Sequence, residues 1–235
     1  QKSILIKDKK VKISNNVKLI NKLTYLMGIG EERAIKLVAS GLTNIWQLKL
    51  KKYHDKLPEE TKVFLQNKPS VEIPRSQIDK INEQLAKLQN KNRQIQITGS
   101  YRRGKLVSSD VDIMLVSNEI EALRQFIIDL QKHLKHVIIY SEGKNKASGL
   151  INVKNIYKID IFLVKPSEKI PMLLYSTGSK AHNIHMRRRA KALGYLLNQH
   201  GLFKNGKKIT GLTSEKKYFD QLNLEYKKPE YRERD

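Results

Sequence analysis

Three aspartates carry the clearest chemical signal in this sequence. Asp110 and Asp112 stand one residue apart in SSDVDIMLV, at the start of an apolar run. Because side chains two positions apart on a strand project from the same face, the two carboxylates should lie side by side. Such a pair repels itself unless a cation lies between the charges, and a hard divalent ion such as Mg²⁺ suits oxygen ligands. The alternative is a polar edge strand with two solvated acids.

A third carboxylate favours the metal site. In a second apolar run, YKIDIF, Asp160 points to the same side as Lys158, while Ile159 and Ile161 point to the opposite, core-facing side. If the two strands are neighbours in a sheet, Asp160 meets the first two acids at one edge. The sequence therefore predicts a site of three carboxylates for divalent cations.

The residues ahead of the acid pair suit phosphate groups. Gly99 and Ser100 stand where a short strand turns, and exposed backbone amides and a hydroxyl at such a place can bind phosphate oxygens. Guanidinium and hydroxyl donors follow at Arg102, Arg103, Ser108 and Ser109. We expect this stretch to hold a triphosphate beside two metal ions. A Gly-Ser turn with surface arginines is the alternative.

Composition indicates a polyanionic partner and excludes thiolate chemistry. Forty-six Lys and Arg against 23 Asp and Glu give a net charge of +23, and no acidic residue occurs between Glu168 and Glu215. Such segregation favours a nucleic-acid-binding face. The chain has no Cys, and its six His show no zinc-type spacing.

The sequence shows no sign of a membrane or secreted protein. No apolar run reaches the roughly 20 residues of a membrane span, and the start QKSILIKDKK is not a signal peptide, so we expect an intracellular protein and no membrane partner. Because the sequence begins with Gln1 rather than Met, we also expect an upstream segment to be missing.

Residue spacing predicts an α+β chain of four parts. These are a basic arm at 1–16, helices around the glycine hairpin MGIG at 17–74, a strand-and-helix region at 75–166, and a mostly helical region at 167–235. Within the third part, periodicity predicts strands at 94–98, 111–116, 136–140, 150–153 and 156–164, helices at 77–88 and 119–134, and a loop at 142–148. A helix is expected at 180–197, and Thr43 is expected to cap a short helix that contains Trp46.

The order of these motifs resembles that of a known family. GSYRRG followed by SSDVD and an apolar strand looks like the nucleotidyltransferase superfamily signature, and in this form is similar to the family X DNA polymerases, the group of polymerase β. The stretches LTYLMGIG, IPR, YSTGS and YKKPEYRERD resemble that family's helix-hairpin-helix, its entry to the palm, its YFTGS segment and its C-terminus. The stretch LNQHGLFKNGKK resembles the small viral members. The resemblance implies a helix-hairpin-helix subdomain, a nucleotidyltransferase palm with a small mixed β-sheet and flanking helices, and a C-terminal α/β subdomain for the nascent base pair.

The resemblance also implies two-metal nucleotidyl transfer. Asp110 and Asp112 would bridge two Mg²⁺ ions, for which Mn²⁺ can substitute, and Asp160 would complete the metal that lowers the pKa of the primer 3′-hydroxyl. The residues that would contact the incoming nucleotide are Arg75, Gly99, Ser100, Arg103, Ser108, Ser109, Tyr175, Gly178 and Asn183. DNA contacts are implied for Gly28, Gly30, Arg187 and Lys191, and a monovalent Na⁺ or K⁺ would bind backbone groups of Thr24, Leu26 and Ile29.

The chain also departs from polymerase β. Ser176 stands where that enzyme has an aromatic residue and Lys180 where it has an acidic one, so sugar or base selection is expected to differ. Lys158 replaces an arginine that orients the metal carboxylates, which predicts looser support of Asp160. A short loop at 142–150 favours templated synthesis. A lyase domain has no counterpart in this sequence, so we expect no lyase activity from it.

Three functions remain open from the sequence. The favoured one is a template-directed family X polymerase that fills short gaps in base excision repair. It would act as a monomer on primer-template or gapped DNA with dNTPs, in the nucleus or, for a viral enzyme, in the host cytoplasm or virion. A template-independent or RNA-tailing nucleotidyltransferase is the alternative. A non-catalytic DNA-binding protein on a decayed scaffold is the third, and the presence of all three carboxylates counts against it.

Overall fold

The structure is a computed structural model that describes residues 15–134 and 136–233. The chain divides after Lys68 into two compact units. The basic arm expected at 1–16 lies outside the described residues apart from its last two positions. Within the described ranges, no helix has the length and apolar content that crossing a membrane requires.

The first unit is helical. Its helices are residues 15–24 (α1), Glu31–Ala39 (α2), Lys51–His54 (α3) and Glu59–Asn67 (α4), with a 3₁₀ helix at Ile45–Lys49. Leu23, Ala34 and Leu48 are fully buried in its core. The MGIG turn joins α1 to α2, and Gly28 within it has a φ of +75°, which L side chains rarely adopt. The predicted order of helix, glycine hairpin and helix is therefore present.

The residue that caps the 3₁₀ helix is Asn44, so the prediction of Thr43 was wrong by one position. Asn44 Oδ1 accepts a hydrogen bond from the Gln47 backbone N–H at 3.2 Å, and Gln47 Oε1 accepts from the Asn44 backbone N–H at 3.4 Å. This reciprocal pair of side-chain hydrogen bonds is a capping box. Thr43 instead donates its backbone N–H to the same Gln47 oxygen at 2.8 Å.

The second unit is built around a mixed five-stranded sheet. Its strands are Gln94–Ile97 (β2), Val111–Val116 (β4), Val137–Glu142 (β5), Lys146–Asn152 (β6) and Ile156–Val164 (β7), and a separate pair joins Ile73–Pro74 (β1) to Val107–Ser108 (β3). The order is β2-β4-β7-β6-β5, with β4 and β7 parallel and the other pairs antiparallel. Helices Arg75–Ala86 (α5) and Ala122–His133 (α7) bury Ile81 and Phe126 against Ile159 in one core. The α+β class and the small mixed sheet are therefore confirmed.

Two local predictions in this unit were wrong. The expected loop at 142–148 is mostly strand, because β5 continues to Glu142 and β6 already begins at Lys146. The expected turn at Gly99 is one turn of helix, Gly99–Arg102 (α6). The stretch 142–148 is polar, so local composition concealed strands that pairing with their neighbours imposes.

The C-terminal part of the second unit packs around its own core. It contains the helices Lys169–Thr177 (α8), Lys180–Ala192 (α9) and Glu215–Gln221 (α10) and a three-stranded sheet of Leu196–Asn198 (β8), Gly201–Lys204 (β9) and Lys207–Lys208 (β10). Met186 and Ala190 of α9 are buried there, as their spacing predicts. The helix expected at 180–197 is shorter, because Gly194 takes a φ of +75° and the chain reverses before β8.

Candidate active site

The sheet sets the acid pair against the third aspartate. Strands β4 and β7 are parallel, and their register places Asp112 directly opposite Asp160. Asp110 lies one residue before β4, on the same side as Asp112, so all three acids lie on one face of the sheet, near the start of β4.

Lys158 lies between two of the carboxylates. Its Nζ is 3.4 Å from Asp160 Oδ2 and 3.7 Å from Asp110 Oδ2, the arrangement that strand alternation predicts for Lys158. Asp160 is 8% exposed and also accepts a hydrogen bond on Oδ1 from the Ser148 hydroxyl of β6, with Lys146 Nζ 3.5 Å from that oxygen. Two residues of β6, Ser148 and Lys146, therefore hold the third aspartate in addition to Lys158.

The acid cluster carries more negative charge than its lysines neutralise. Burial, together with repulsion from Asp110 and Asp160, raises the pKa of Asp112 to about 7, and Lys158 and Lys146 offset this only in part. Among the described residues, no three acidic or histidine side chains already converge on one coordination point, and Lys158 lies between two of the acids. The donor set nevertheless fits hard divalent cations, because it consists of three crowded carboxylates whose charge the two lysines offset only in part.

Gly99 is required where it stands. Its φ is +59°, and a Cβ at this position would overlap the carboxylate of Asp112. The residue begins α6, so the first turn of that helix lies against the acid pair. Only glycine allows the backbone to approach the carboxylate so closely.

An open cavity of about 620 Å³ lies beside the acid pair. Its lining combines acids, hydroxyls and cations from the segment that runs from α6 to β4 and from α8 and α9: Gly99, Ser100, Arg103, Lys105, Ser108, Ser109, Asp110, Asp112, Tyr175, Ser176, Gly178, Lys180, Asn183 and Arg187, with Val71, Val107 and Phe162. Ser100 Oγ donates to Ser108 Oγ at 2.7 Å, and Ser109 Oγ donates to Asp110 Oδ1 at 3.3 Å. The structure thus gathers most of the residues implicated in nucleotide contact around one space.

Arg103 is already engaged by the C-terminal segment. Its Nε donates to Glu233 Oε1, its Nη1 donates to the Thr177 carbonyl, and Lys105 Nζ lies 3.0 Å from Glu233 Oε2. Although partial burial acts to raise it, hydrogen bonds from Arg103 and Lys105 hold the pKa of Glu233 below its usual range. A carboxylate of the protein itself, Glu233, therefore pairs with two cations that line the cavity.

The structure does not place Arg75 on the cavity. Its guanidinium stacks on the Tyr101 ring, 4.2 Å from the centroid, and Nη1 donates to the Tyr101 carbonyl at 2.8 Å. Arg75 thereby supports the end of α6 and does not line the cavity. Asp160 also lies beside the cavity rather than on its wall.

Helix α9 supplies a second wall of the cavity. Asn183 Nδ2 donates to the Tyr175 carbonyl at 2.7 Å, and Arg187 Nε donates to the Asn183 carbonyl at 3.2 Å. Ser176 Oγ is turned back onto the Met172 carbonyl at 2.8 Å. Lys191, the third residue of this face, lines a separate cavity of about 440 Å³ with Tyr195, with Leu196 and Asn198 of β8 and with Phe203 of β9.

A buried ion network behind α6 has no counterpart among the sequence predictions. Glu215, at the start of α10, accepts hydrogen bonds from Arg102 at 2.8 and 3.1 Å and from Arg232 at 2.8 Å. Arg232 is completely buried, and Arg102 also donates to Thr177 Oγ1 at 2.7 Å. Glu215 is the first acid after the long basic window, which is the one signal the sequence offered.

The glycine hairpin of the first unit has internal partners for its carbonyls. Arg33 Nη1 donates to the Gly28 carbonyl at 2.8 Å, and the Leu26 carbonyl accepts from the Ile29 N–H at 3.2 Å. Gly30 precedes α2, whose first turn is acidic. The monovalent cation at Thr24, Leu26 and Ile29 stays a prediction.

Comparison with known proteins agrees with this geometry. Residues 72–166 match the DNA polymerase beta palm and residues 172–233 the DNA polymerase beta thumb. Repair DNA polymerase X of African swine fever virus (isolate Warthog/Namibia/Wart80/1980) is 32% identical over 172 residues, which cover 72% of this chain and 98% of the viral protein. The corresponding protein of isolate Tick/South Africa/Pretoriuskop Pr4/1996 is 31% identical over the same length.

A bacterial protein shares only part of its length with this chain. DNA polymerase/3'-5' exonuclease PolX of Bacillus subtilis (strain 168) is 29% identical over 137 residues, 57% of this chain and 23% of that protein. The palm of polymerase β works by divalent-metal catalysis, which agrees with the three carboxylates gathered on one face of the sheet. The palm and thumb matches, together with a relative that this chain covers almost completely, show that the chain belongs to family X of the DNA polymerases.

Proposed function

We propose that this chain is a template-directed polymerase that adds a deoxynucleotide to a primer 3′-hydroxyl and fills short gaps during DNA repair. The observation that carries the proposal is the parallel register that sets Asp112 against Asp160, with Asp110 adjacent, beside a cavity lined by phosphate-binding groups. Repair is the activity named for the viral relatives.

The carboxylates would hold the divalent ions. Asp110 and Asp112 would be the shared ligands and Asp160 would serve the ion nearest the primer end; Mg²⁺ is the expected ion and Mn²⁺ a substitute. When bound there, such ions lower the pKa of the 3′-hydroxyl and neutralise charge on the leaving pyrophosphate.

The remaining roles belong to side chains of this chain. Ser100 and Arg103 donate to the triphosphate oxygens, where negative charge develops as the pyrophosphate leaves. Tyr175, Gly178 and Asn183 line the same cavity. There Tyr175 and Gly178 would lie along the nucleotide sugar, and Asn183 would reach the nascent base pair from α9. These contacts fix the α-phosphate for in-line attack by the primer oxygen.

DNA contacts are proposed on both units. In the second unit, Arg187 and Lys191 share an exposed face of α9 one turn apart, suited to the template and the minor-groove edge. In the first unit, the hairpin around Gly28 offers backbone groups to a DNA phosphate through a monovalent cation. We infer that the chain acts as a monomer, in the nucleus or, for a viral enzyme, in the host cytoplasm or virion.

Templated synthesis is favoured over untemplated addition by the connection between β5 and β6. That connection is residues 143–145 only, so it provides no long loop to take the place of a template.

Primer extension on gapped DNA tests the proposal. Each dNTP is supplied in turn opposite each template base, and incorporation should follow the template. Asp160→Ala should abolish incorporation while DNA binding stays nearly intact. The matched control is Asp220→Ala, since Asp220 is an exposed aspartate of α10 whose partner is Lys216. Addition that ignores the template, or equal loss of binding and incorporation in Asp160→Ala, would contradict the proposal.

A further inference from the structure

Ser148 is a polar residue beside the acid cluster that the expected roles leave unassigned. It lies on β6, and the antiparallel register places it directly opposite Asp160 of β7. Directly opposed side chains of neighbouring strands project from the same face. The Ser148 hydroxyl accordingly donates to Asp160 Oδ1.

The two lysines near Asp160 fix its carboxylate less firmly than Ser148 does. Lys158 and Lys146 reach it at 3.4 and 3.5 Å, beyond the usual 2.7–3.2 Å of a nitrogen-oxygen hydrogen bond. Their side chains are 31% and 51% exposed and have four rotatable carbons, whereas a serine hydroxyl turns on a single torsion anchored in the sheet. Of these three donors, Ser148 sets the plane of the Asp160 carboxylate.

The two oxygens of Asp160 have different surroundings as a result. Ser148 and Lys146 occupy the side of Oδ1. Oδ2 faces Lys158, whose ammonium also approaches Asp110 Oδ2. Oδ2 of Asp160 and Oδ2 of Asp110 therefore face a common position, which a positive charge now occupies.

We infer that Ser148 is a positioning residue: its hydroxyl orients Asp160 so that Oδ2 faces the cation position shared with Asp110. This rests on the proposed role of the three aspartates in holding divalent ions. The Ser148 hydrogen bond would also compensate for Lys158, because a lysine ammonium cannot fix the plane of a carboxylate as a forked guanidinium does.

The test compares three variants of the full chain. Ser148→Ala removes the hydroxyl, and Ser148→Thr keeps it on a residue that suits a strand. Ser141→Ala is the matched control, because Ser141 is an exposed serine of β5 paired with Ser148 across the strands. Far-UV circular dichroism and thermal unfolding establish that each variant is folded.

Two readouts separate positioning from a general structural role. Single-turnover incorporation on gapped DNA should slow about tenfold in Ser148→Ala with dNTP affinity nearly unchanged, since a hydrogen bond to a charged group is worth about that factor. Mn²⁺ binding to the enzyme on dideoxy-terminated DNA, followed by the resonance signal of free Mn²⁺, should weaken by a similar factor without any turnover. Ser148→Thr should restore both, and Ser141→Ala should match the wild type.

Each other outcome decides against the inference. Wild-type rate and Mn²⁺ affinity in Ser148→Ala would show that the hydroxyl does not matter, and a loss in Ser148→Thr equal to that in Ser148→Ala would show that side-chain size matters instead. A slowed rate with unchanged Mn²⁺ binding would also overturn it. The proposed function fails separately, through full activity of Asp160→Ala.

Discussion

Removing the Glu215 carboxylate should strongly destabilise the second unit. Glu215 is 7% exposed and joins Arg102 of α6 to the completely buried Arg232 through three hydrogen bonds. Arg232 Nη2 already has no hydrogen-bond partner within the described residues, so Arg232 depends on Glu215 to offset its buried charge. In Glu215→Ala the guanidinium keeps its charge and loses that partner.

The expected cost of Glu215→Ala is about 3–5 kcal/mol of unfolding free energy, the range for breaking a buried ion pair from one side. Glu215→Gln keeps one acceptor oxygen and the side-chain shape, so about 1–3 kcal/mol is expected. The control is Asp220→Ala on the same helix, because Asp220 and Lys216 form an exposed pair that is worth less than about 1 kcal/mol.

The assay must report on the second unit. Trp46 is the single tryptophan and lies in the first unit, so its fluorescence is unsuitable. Urea unfolding followed by far-UV circular dichroism gives the free energy, and hydrogen exchange of α8 and α10 peptides localises the loss. If Glu215→Ala costs no more than Asp220→Ala, the network does not stabilise the fold and the reasoning is refuted.

Acid should reduce the advantage of the wild type over Glu215→Gln. Burial acts to raise the pKa of Glu215, but hydrogen bonds and charge from Arg102 and Arg232 outweigh it and hold the pKa below its usual range. A carboxyl with a lowered folded-state pKa contributes stability above its unfolded value of about 4.3, and that contribution is lost as the pH falls toward the folded value. A stability difference that stays constant from pH 7 down to pH 3 would contradict this.

Three further predictions concern binding and catalysis. Glu233→Gln should tighten dNTP binding roughly two- to tenfold, because Glu233 competes with the triphosphate for Arg103 and Lys105. Titration of dNTP into the enzyme on dideoxy-terminated DNA measures this affinity, and weaker binding in the variant would count against competition. Gly99→Ala should slow incorporation about 100-fold or more, because the alanine Cβ would displace the Asp112 carboxylate. DNA affinity should stay unchanged as the control, and a near-normal rate of incorporation would show that the site relaxes around the added methyl group. DNA affinity should fall steeply with salt, because phosphate contacts made by a chain of net charge +23 release many counterions from the DNA. A flat dependence in a filter-binding series would assign the basic surface to another partner.

The sequence was most informative where structure depends on local pattern. Strand alternation predicted that Asp110 and Asp112 share a side and that Lys158 lies next to Asp160, and both follow from a two-residue repeat. Pairing of β4 with β7 was only a condition in that argument. Parallel pairing depends on contacts far apart in the chain, so no local pattern could establish it.

The missed features depend on distant partners or on backbone conformation. Glu215 lies 113 residues from Arg102, and each alone looks like a surface charge. Ser148 lies in a polar stretch whose strand exists because β5 and β7 pair with it on either side. Leu193 and Leu197 continue the apolar spacing of α9, but Gly194 in a left-handed conformation ends that helix first.

Three cations at the site, Arg103, Lys105 and Lys158, are already paired with anions of the protein. Arg103 holds Glu233, and Lys158 lies between Asp110 and Asp160. Binding of a triphosphate and a divalent ion would therefore exchange one set of partners for another, so the measured affinity is a difference between two sets of ion pairs. The internal pairs lower that affinity, but they also keep each charged side chain ordered near its working position, which reduces the entropy lost on binding. Under the proposed function, we expect such a site to favour the speed of each addition over tight binding of the nucleotide, because side-chain orientation would be set before the substrate arrives.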